Sequence, residues 1–165
     1  MGLEGTDTAI QWSNFNRLEQ PPVGKDYDAE TASQFSLEYL LVRKGNAVVV
    51  KSADVKVFIN TDNSWAVIGK RNDYLLKHEQ GHYDITAIAA KEFYSGLMEL
   101  TAKDKNALQE KIRRLNHRLQ KKIDNSNILY DEQTDHSRNK SAQGKWNKAL
   151  ETEKRKAGSS LDNLP

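Results

Sequence analysis

Leu75-Leu76-Lys77-His78-Glu79-Gln80-Gly81-His82-Tyr83-Asp84-Ile85 is the stretch on which the chain turns. Leu75, Leu76, Ile85, Ile88, Ala89, Phe93 and Leu97 keep a helical period through it and beyond, which predicts one long helix. Residues four apart on a helix lie one above the other, so His78 and His82 can turn an imidazole nitrogen each toward a single metal ion. Glu79 lies one step around the helix, beside such an ion but not on it. There it can take a proton from a water and return it to a leaving amine, the general-base role that the H-E-x-x-H pattern supports in zinc peptidases. The bland alternative is a chance spacing, and the helical context weighs against it.

The chain around this helix has 165 residues, enough for a single domain with a buried core, and residues 1–8 and 157–165 are expected as flexible tails. Lys and Arg number 25 against 23 Asp and Glu, a net charge of +2 that is too balanced for an electrostatic nucleic-acid binder. No cysteine is present, so thiolate zinc sites and disulfide frameworks are excluded and His, Asp and Glu remain as ligands. No apolar run reaches the length of a membrane span, and no charged n-region followed by an apolar h-region opens the chain.

Before the helix, Phe35, Leu37, Tyr39 and Leu41 alternate as one buried face of a strand, and Lys44-Gly45-Asn46 makes a turn. Ala47-Val48-Val49-Val50 then begins a second strand, and Val55, Val57 and Ile59 mark a third, which argues an antiparallel meander. Trp65-Ala66-Val67-Ile68 is a short strand or loop, with Trp65 read as a core anchor rather than a substrate contact.

The metal-pattern helix is capped by Asn72 or Asp73 and runs to about Leu97. Thr101-x-x-Asp104 resembles a capping box for a second helix, whose stripe Leu108, Ile112, Leu115, Leu119, Ile123 ends at Asn125-Ser126-Asn127. His117 falls on its polar side. A third helix is expected from Thr134 or Asp135, with Ala142, Trp146, Ala149 and Leu150 on one face. The predicted fold class is α+β, a small antiparallel sheet followed by three helices.

A catalytic zinc usually has three protein ligands, and the pattern supplies two. The extension H-x-x-G-x-x-H fails, because Ile85 and Ile88 stand where Gly and His are needed. Glu99 and Glu110 are candidates, and His136 is a better one, set in the polar segment Tyr130-Asp131-Glu132-Gln133-Thr134-Asp135-His136-Ser137 between the second and third helices. Spacing alone leaves His136 balanced between a ligand and an exposed residue at a helix start.

His78-Glu79-Gln80-Gly81-His82-Tyr83-Asp84-Ile85, followed by Tyr130-Asp131-x-x-Thr134-x-His136, resembles a bacterial family of predicted secreted zinc-dependent proteases, catalogued as a domain of unknown function. The resemblance runs from about Ile10 to Trp146 and includes Ser64-Trp65, while Ser137 stands where relatives often have Gly. It implies a zincin-like fold, an extracytoplasmic location, and His136 as the third ligand beside His78 and His82. The expectation is therefore a monomeric zinc metallopeptidase with one zinc ion per chain, Glu79 as general base, and a peptide or protein substrate. Tyr130 is the candidate hydrogen-bond donor to the oxyanion, with a purely structural tyrosine as the alternative. Asp84, Asp131 and Asp135 can orient imidazole N–H groups. The competing expectation is a non-catalytic binding or interaction module with a structural or vestigial metal site.

Overall fold

The structure, a computed structural model, describes residues 2–165. It is an α+β arrangement of two small sheets and three helices. Strand β1 spans Leu3–Glu4, β2 Asn16–Leu18, β3 Ala29–Glu30, β4 Ser33–Lys44, β5 Ala47–Ile59, β6 Trp65–Val67 and β7 Thr101–Ala102. Helix α1 spans Asp73–Glu99, α2 Lys105–Thr134 and α3 Lys140–Lys154.

The second and third runs of the expected meander are one strand. β5 pairs antiparallel with β4 along its length, with a register shift between Leu40 and Leu41 that leaves Lys51 as the extra residue. A bulge of this kind reverses which parity of residue faces the core. Val48 and Val50 are buried before it and Ala53, Val55 and Val57 after it, so a single strand reads as two.

The single antiparallel sheet is corrected to two mixed ones. β1 runs parallel to β5, β7 pairs antiparallel with β5, and β4 lies on the other side. In the second sheet β6 is central, parallel to β2 and antiparallel to β3. The added strands are two or three residues long, too short to carry an alternation, and their pairing is set by where the chain returns.

Asn72 caps α1 by accepting a hydrogen bond from the Leu75 N–H at 2.9 Å. Residues 81–90 are buried without a break, since β5, α2 and α3 all pack on this helix. The cap of α2 is Asp104, which accepts from Ala107 N–H, and Thr101 of the expected capping box lies in β7 instead. α2 does not stop at Asn125-Ser126-Asn127 but continues to Thr134, and α3 starts at Lys140, capped by Asn139. Tertiary contacts of Asn127 and Tyr130, described below, outweigh the weak helix propensity of Asn and Ser.

Both ends of the chain contact the body. β1 pairs with β5, and Leu161 is buried in an apolar cluster with Ile85, Ile88, Ile123, Trp146 and Leu150. No helix among the described residues is long and apolar enough to cross a membrane.

Candidate metal centre

α1 carries His78, Glu79 and His82, and the last turns of α2 cross it with Asn127, Tyr130 and Asp131. Nε2 of His78 and Nε2 of His82 each lie 3.1 Å from Asp131 Oδ1. These three side chains form a group whose ligand atoms lie within 4.8 Å of one another and that can hold a metal ion. Donors around a tetrahedral zinc sit about 3.3 Å apart, so the two measured separations suit such an ion.

The outward nitrogens fix which lone pairs face the centre. His78 Nδ1 is 2.8 Å from Gln143 Oε1, while the Gln143 amide N–H groups go to the Tyr130 hydroxyl and to Asn147 Oδ1. The amide oxygen therefore faces the imidazole, and Nδ1 carries the proton. His82 Nδ1 likewise donates to Asn127 Oδ1 at 2.8 Å. Two imidazole lone pairs and a carboxylate oxygen are thus aimed at each other, which is repulsive unless a cation lies among them.

Without a metal, a proton does that work. Burial alone would lower the His82 pKa, but the hydrogen bond and charge of Asp131, helped by Glu79 and Asn127, raise it to about 9. Burial would raise the Asp131 carboxyl, yet hydrogen bonds from His78 and His82 hold it well below the usual carboxylate range. The His82 contribution to metal-free stability is then complete below the unfolded value of about 6.5. It is lost as pH rises through about 9. That of Asp131 is complete above about 3.9 and lost only in strong acid. The expected result is a melting temperature of the chelated protein that falls between about pH 7 and 10, with a much flatter profile when zinc is added. Thermal melts across that range check it, and a chelated profile as flat as the zinc-loaded one would overturn it.

Glu79 is 1% exposed, and its Oε2 accepts from the Thr31 hydroxyl at 2.7 Å. Burial raises its pKa, against the lowering effect of His82, His78 and Thr31. A small cavity lined by His78, Glu79, Tyr27 and His136 lies on one side of the centre. Another, of about 190 Å³, is lined by His82, Asp131, Thr31, Tyr27 and His136.

His136 lies at the rim of this group: its Nδ1 is 3.4 Å from the same Asp131 Oδ1 that both Nε2 atoms approach, while the ligand atoms within 4.8 Å of one another are those of His78, His82 and Asp131. The α2 helix explains this: Asp131 is still helical and faces α1, whereas His136 comes after the helix end, where Asp135, His136 and Ser137 take positive φ values of 49°, 45° and 77°. Its ring stacks on Tyr27 at 4.5 Å, and Tyr27 stacks in turn on Trp65, which is 9% exposed.

Tyr130 does not reach the open side. It is fully buried, stacks on the His78 ring at 4.7 Å, donates to the His78 carbonyl at 3.1 Å and accepts from Gln143. It is a support behind His78, because its hydroxyl is already committed in both directions. Glu99, Glu110 and His117 lie outside the donor group. Asp84 pairs with Lys154 and Gln80, Asp135 approaches Arg138, and neither touches an imidazole in the described contacts. Gln80 also holds the N-terminal segment through Ile10 N–H and the Thr8 carbonyl.

Three participants escaped the sequence reading: Asp131 within the group that could hold a metal, where it was expected only to orient an imidazole N–H, and Asn127 and Gln143 as the groups that set the tautomers. For the first two a signal existed. The α2 stripe of Leu115, Leu119 and Ile123 continues at helical spacing to Asn127, Tyr130 and Thr134, with Asp131 one turn after Asn127.

Fold and centre together define an α+β protein with a helix-borne His-His-Asp group able to hold a metal ion. The chain belongs to a family described as bacterial protein of unknown function (DUF922), whose model matches residues 5–137. No curated protein and no solved structure matches it. The family match takes in His78, Glu79, His82, Asn127, Asp131 and His136, while Gln143 comes from the segment beyond it.

Proposed function

We propose that the chain is a zinc-dependent, zincin-like peptidase in which His78, His82 and Asp131 hold the ion and Glu79 is the general base. The observation that carries this reading is the pair of imidazoles locked by outward hydrogen bonds so that both Nε2 atoms converge on one oxygen of Asp131, with a buried carboxylate one helix position away. When bound, the metal supplies Lewis acidity to a water and to a substrate carbonyl. Gln143 and Asn127 hold the imidazoles in the tautomer that leaves Nε2 free to bind. Thr31 holds one oxygen of Glu79, leaving the other to accept a proton from the attacking water and pass it to the leaving amine. A carboxylate raised by burial is a stronger base than an exposed one, which suits that task.

A peptide suits the cleft through its backbone. Asp28 C=O accepts from Val67 N–H, so by the alternation of an antiparallel ladder the N–H and C=O of Ala29 point away from β6. Ala29 lines both cavities beside the centre, where an extended chain can add to this edge.

The test is elemental analysis of the protein after chelation and zinc reconstitution, wild type beside Asp131→Ala. About one zinc per chain is expected in the wild type, and at least about tenfold weaker binding in the variant. A reconstituted wild type without stoichiometric metal sinks the proposal, and an Asp131→Ala protein that binds zinc as tightly removes Asp131 from the ligands.

A further inference from the structure

We propose that β4 is a dimer interface, at which two copies of the chain pair edge to edge, antiparallel about a two-fold axis through Leu41, in place of the monomer expected from the sequence. This goes beyond the peptidase reading and does not depend on it.

β4 is 12 residues long, and among the described residues it is bonded to β5 on one side only. Asn60 N–H donates to the Ala32 carbonyl at 2.7 Å, one step before the Ser33–Ile59 pair. By antiparallel alternation the even residues of β4 turn their N–H and C=O to β5, while Leu37, Tyr39, Leu41 and Arg43 turn theirs to the open edge. The extra residue at the register shift, Lys51, belongs to β5, so the alternation of β4 holds through to the turn. Natural edges of this length are blunted by a proline, a bulge or charges. β4 has no proline and no inserted residue of its own, and the middle of its edge is Tyr39-Leu40-Leu41-Val42, with Tyr39 37% and Leu40 51% exposed.

The register identifies the occupant as a second copy. A two-fold axis pairs the strand with itself antiparallel, and outward-turned residues must lie opposite outward-turned residues. With the axis through Leu41, Tyr39 faces the partner's Arg43, Leu40 the partner's Val42 and Glu38 the partner's Lys44, and the symmetry repeats each pair. The Leu40 and Glu38 pairs are then the non-hydrogen-bonded kind, in which side chains approach closest. An apolar strip is thus closed at each end by an ion pair. Within one chain Glu38, Arg43 and Lys44 have no ion pair or side-chain hydrogen bond in the described contacts. Other allowed registers lose this match. An axis through Leu40 or Tyr39 sets Glu38 against Val42 or Leu40, one through Glu38 sets two glutamates together, and one through Val42 carries Glu38 past Lys44 onto the turn.

A substrate is the other extended chain that adds to an edge, and the course of β4 argues against it here. Ser33 Oγ lies 2.7 Å from Thr86 Oγ1, one turn past His82, and the Phe35 ring meets Phe93 at 5.2 Å. The strand therefore runs along α1 away from the imidazoles. Val42 is paired with Val49, which meets β7 beyond the end of α1.

The test is sedimentation equilibrium of the full chain at loading concentrations from about 1 to 200 μM, a range suited to an interface of this modest size. The mass is expected to rise from the 18.8 kDa of one chain toward twice that value. Glu38→Lys and Lys44→Glu each set like charges opposite one another at both ends of the strip and should weaken the dimer about tenfold, while the double exchange recovers most of the affinity. Both side chains are exposed, and circular dichroism checks that the variants fold. Amide exchange at Tyr39, Leu41 and Arg43 should slow about tenfold between the dilute and the concentrated wild type. A wild type that keeps the monomer mass throughout overturns the inference. So does a dimer that neither single exchange weakens, one that the double exchange fails to recover, or one that leaves those three amides as fast as in the monomer.

Discussion

Glu79→Gln is expected to lower peptide hydrolysis by about 10²–10⁴-fold while leaving zinc content and melting temperature close to wild type. The amide is nearly the same shape as the carboxylate and keeps an oxygen for the Thr31 hydroxyl, which now reaches Glu79 Oε2 at 2.7 Å. It cannot take up the proton. Glu79 is also outside the donor group, so the metal does not depend on it. The contrast with Asp131→Ala separates the two roles, since that change removes a donor and activity goes with the metal. Turnover of a fluorogenic peptide mixture, measured beside zinc content, checks this. A Glu79→Gln protein that hydrolyses peptides at the wild-type rate with full metal would end the assignment of Glu79 as base.

The parts of this site that could be read from sequence are those whose partners lie on the same helix. His78, Glu79 and His82 share α1, and the apolar stripe around them sets which face they use. Asp131 was hidden for a physical reason. The inner stripe of α2 changes from Leu and Ile to Asn127, Tyr130 and Asp131 at the point where its neighbour changes from apolar side chains to imidazoles. A polar stripe looks like a helix end when its partner is unknown, and Asn125-Ser126-Asn127 has the composition of one. Gln143 gave no local signal, because its bond to His78 joins residues 65 apart in the chain. The same limit applies to the sheets. The β4–β5 hairpin declares itself by alternation and by Gly45, whose φ is 61°, whereas β1, β2 and β7 are defined only by the strands they meet.

Gly81→Ala is expected to destabilise the protein by about 2–4 kcal/mol, reversing the usual effect of that substitution inside a helix. In an ordinary helix interior, replacing Gly by Ala stabilises by roughly 0.5–1 kcal/mol. Here a Cβ would lie 2.2 Å from the Tyr130 hydroxyl oxygen and 2.6 Å from its Cζ, contacts that cannot stand. Tyr130 has little room to yield. Its ring is held between His78 at 4.7 Å and Trp146 at 5.0 Å, and its hydroxyl links the His78 carbonyl to Gln143. Moving it breaks those bonds and releases the Gln143 oxygen that sets the His78 tautomer, so zinc affinity should fall by about 10–100-fold as well. Gly96→Ala in the same helix is the control. Its Cβ would meet only the end of the Leu115 side chain, at 3.3 Å, which a small rotation relieves. Melting curves and zinc titrations of the two variants make the comparison. If Gly81→Ala is as stable as Gly96→Ala and binds zinc as the wild type does, Tyr130 is not the brace that holds His78 in place.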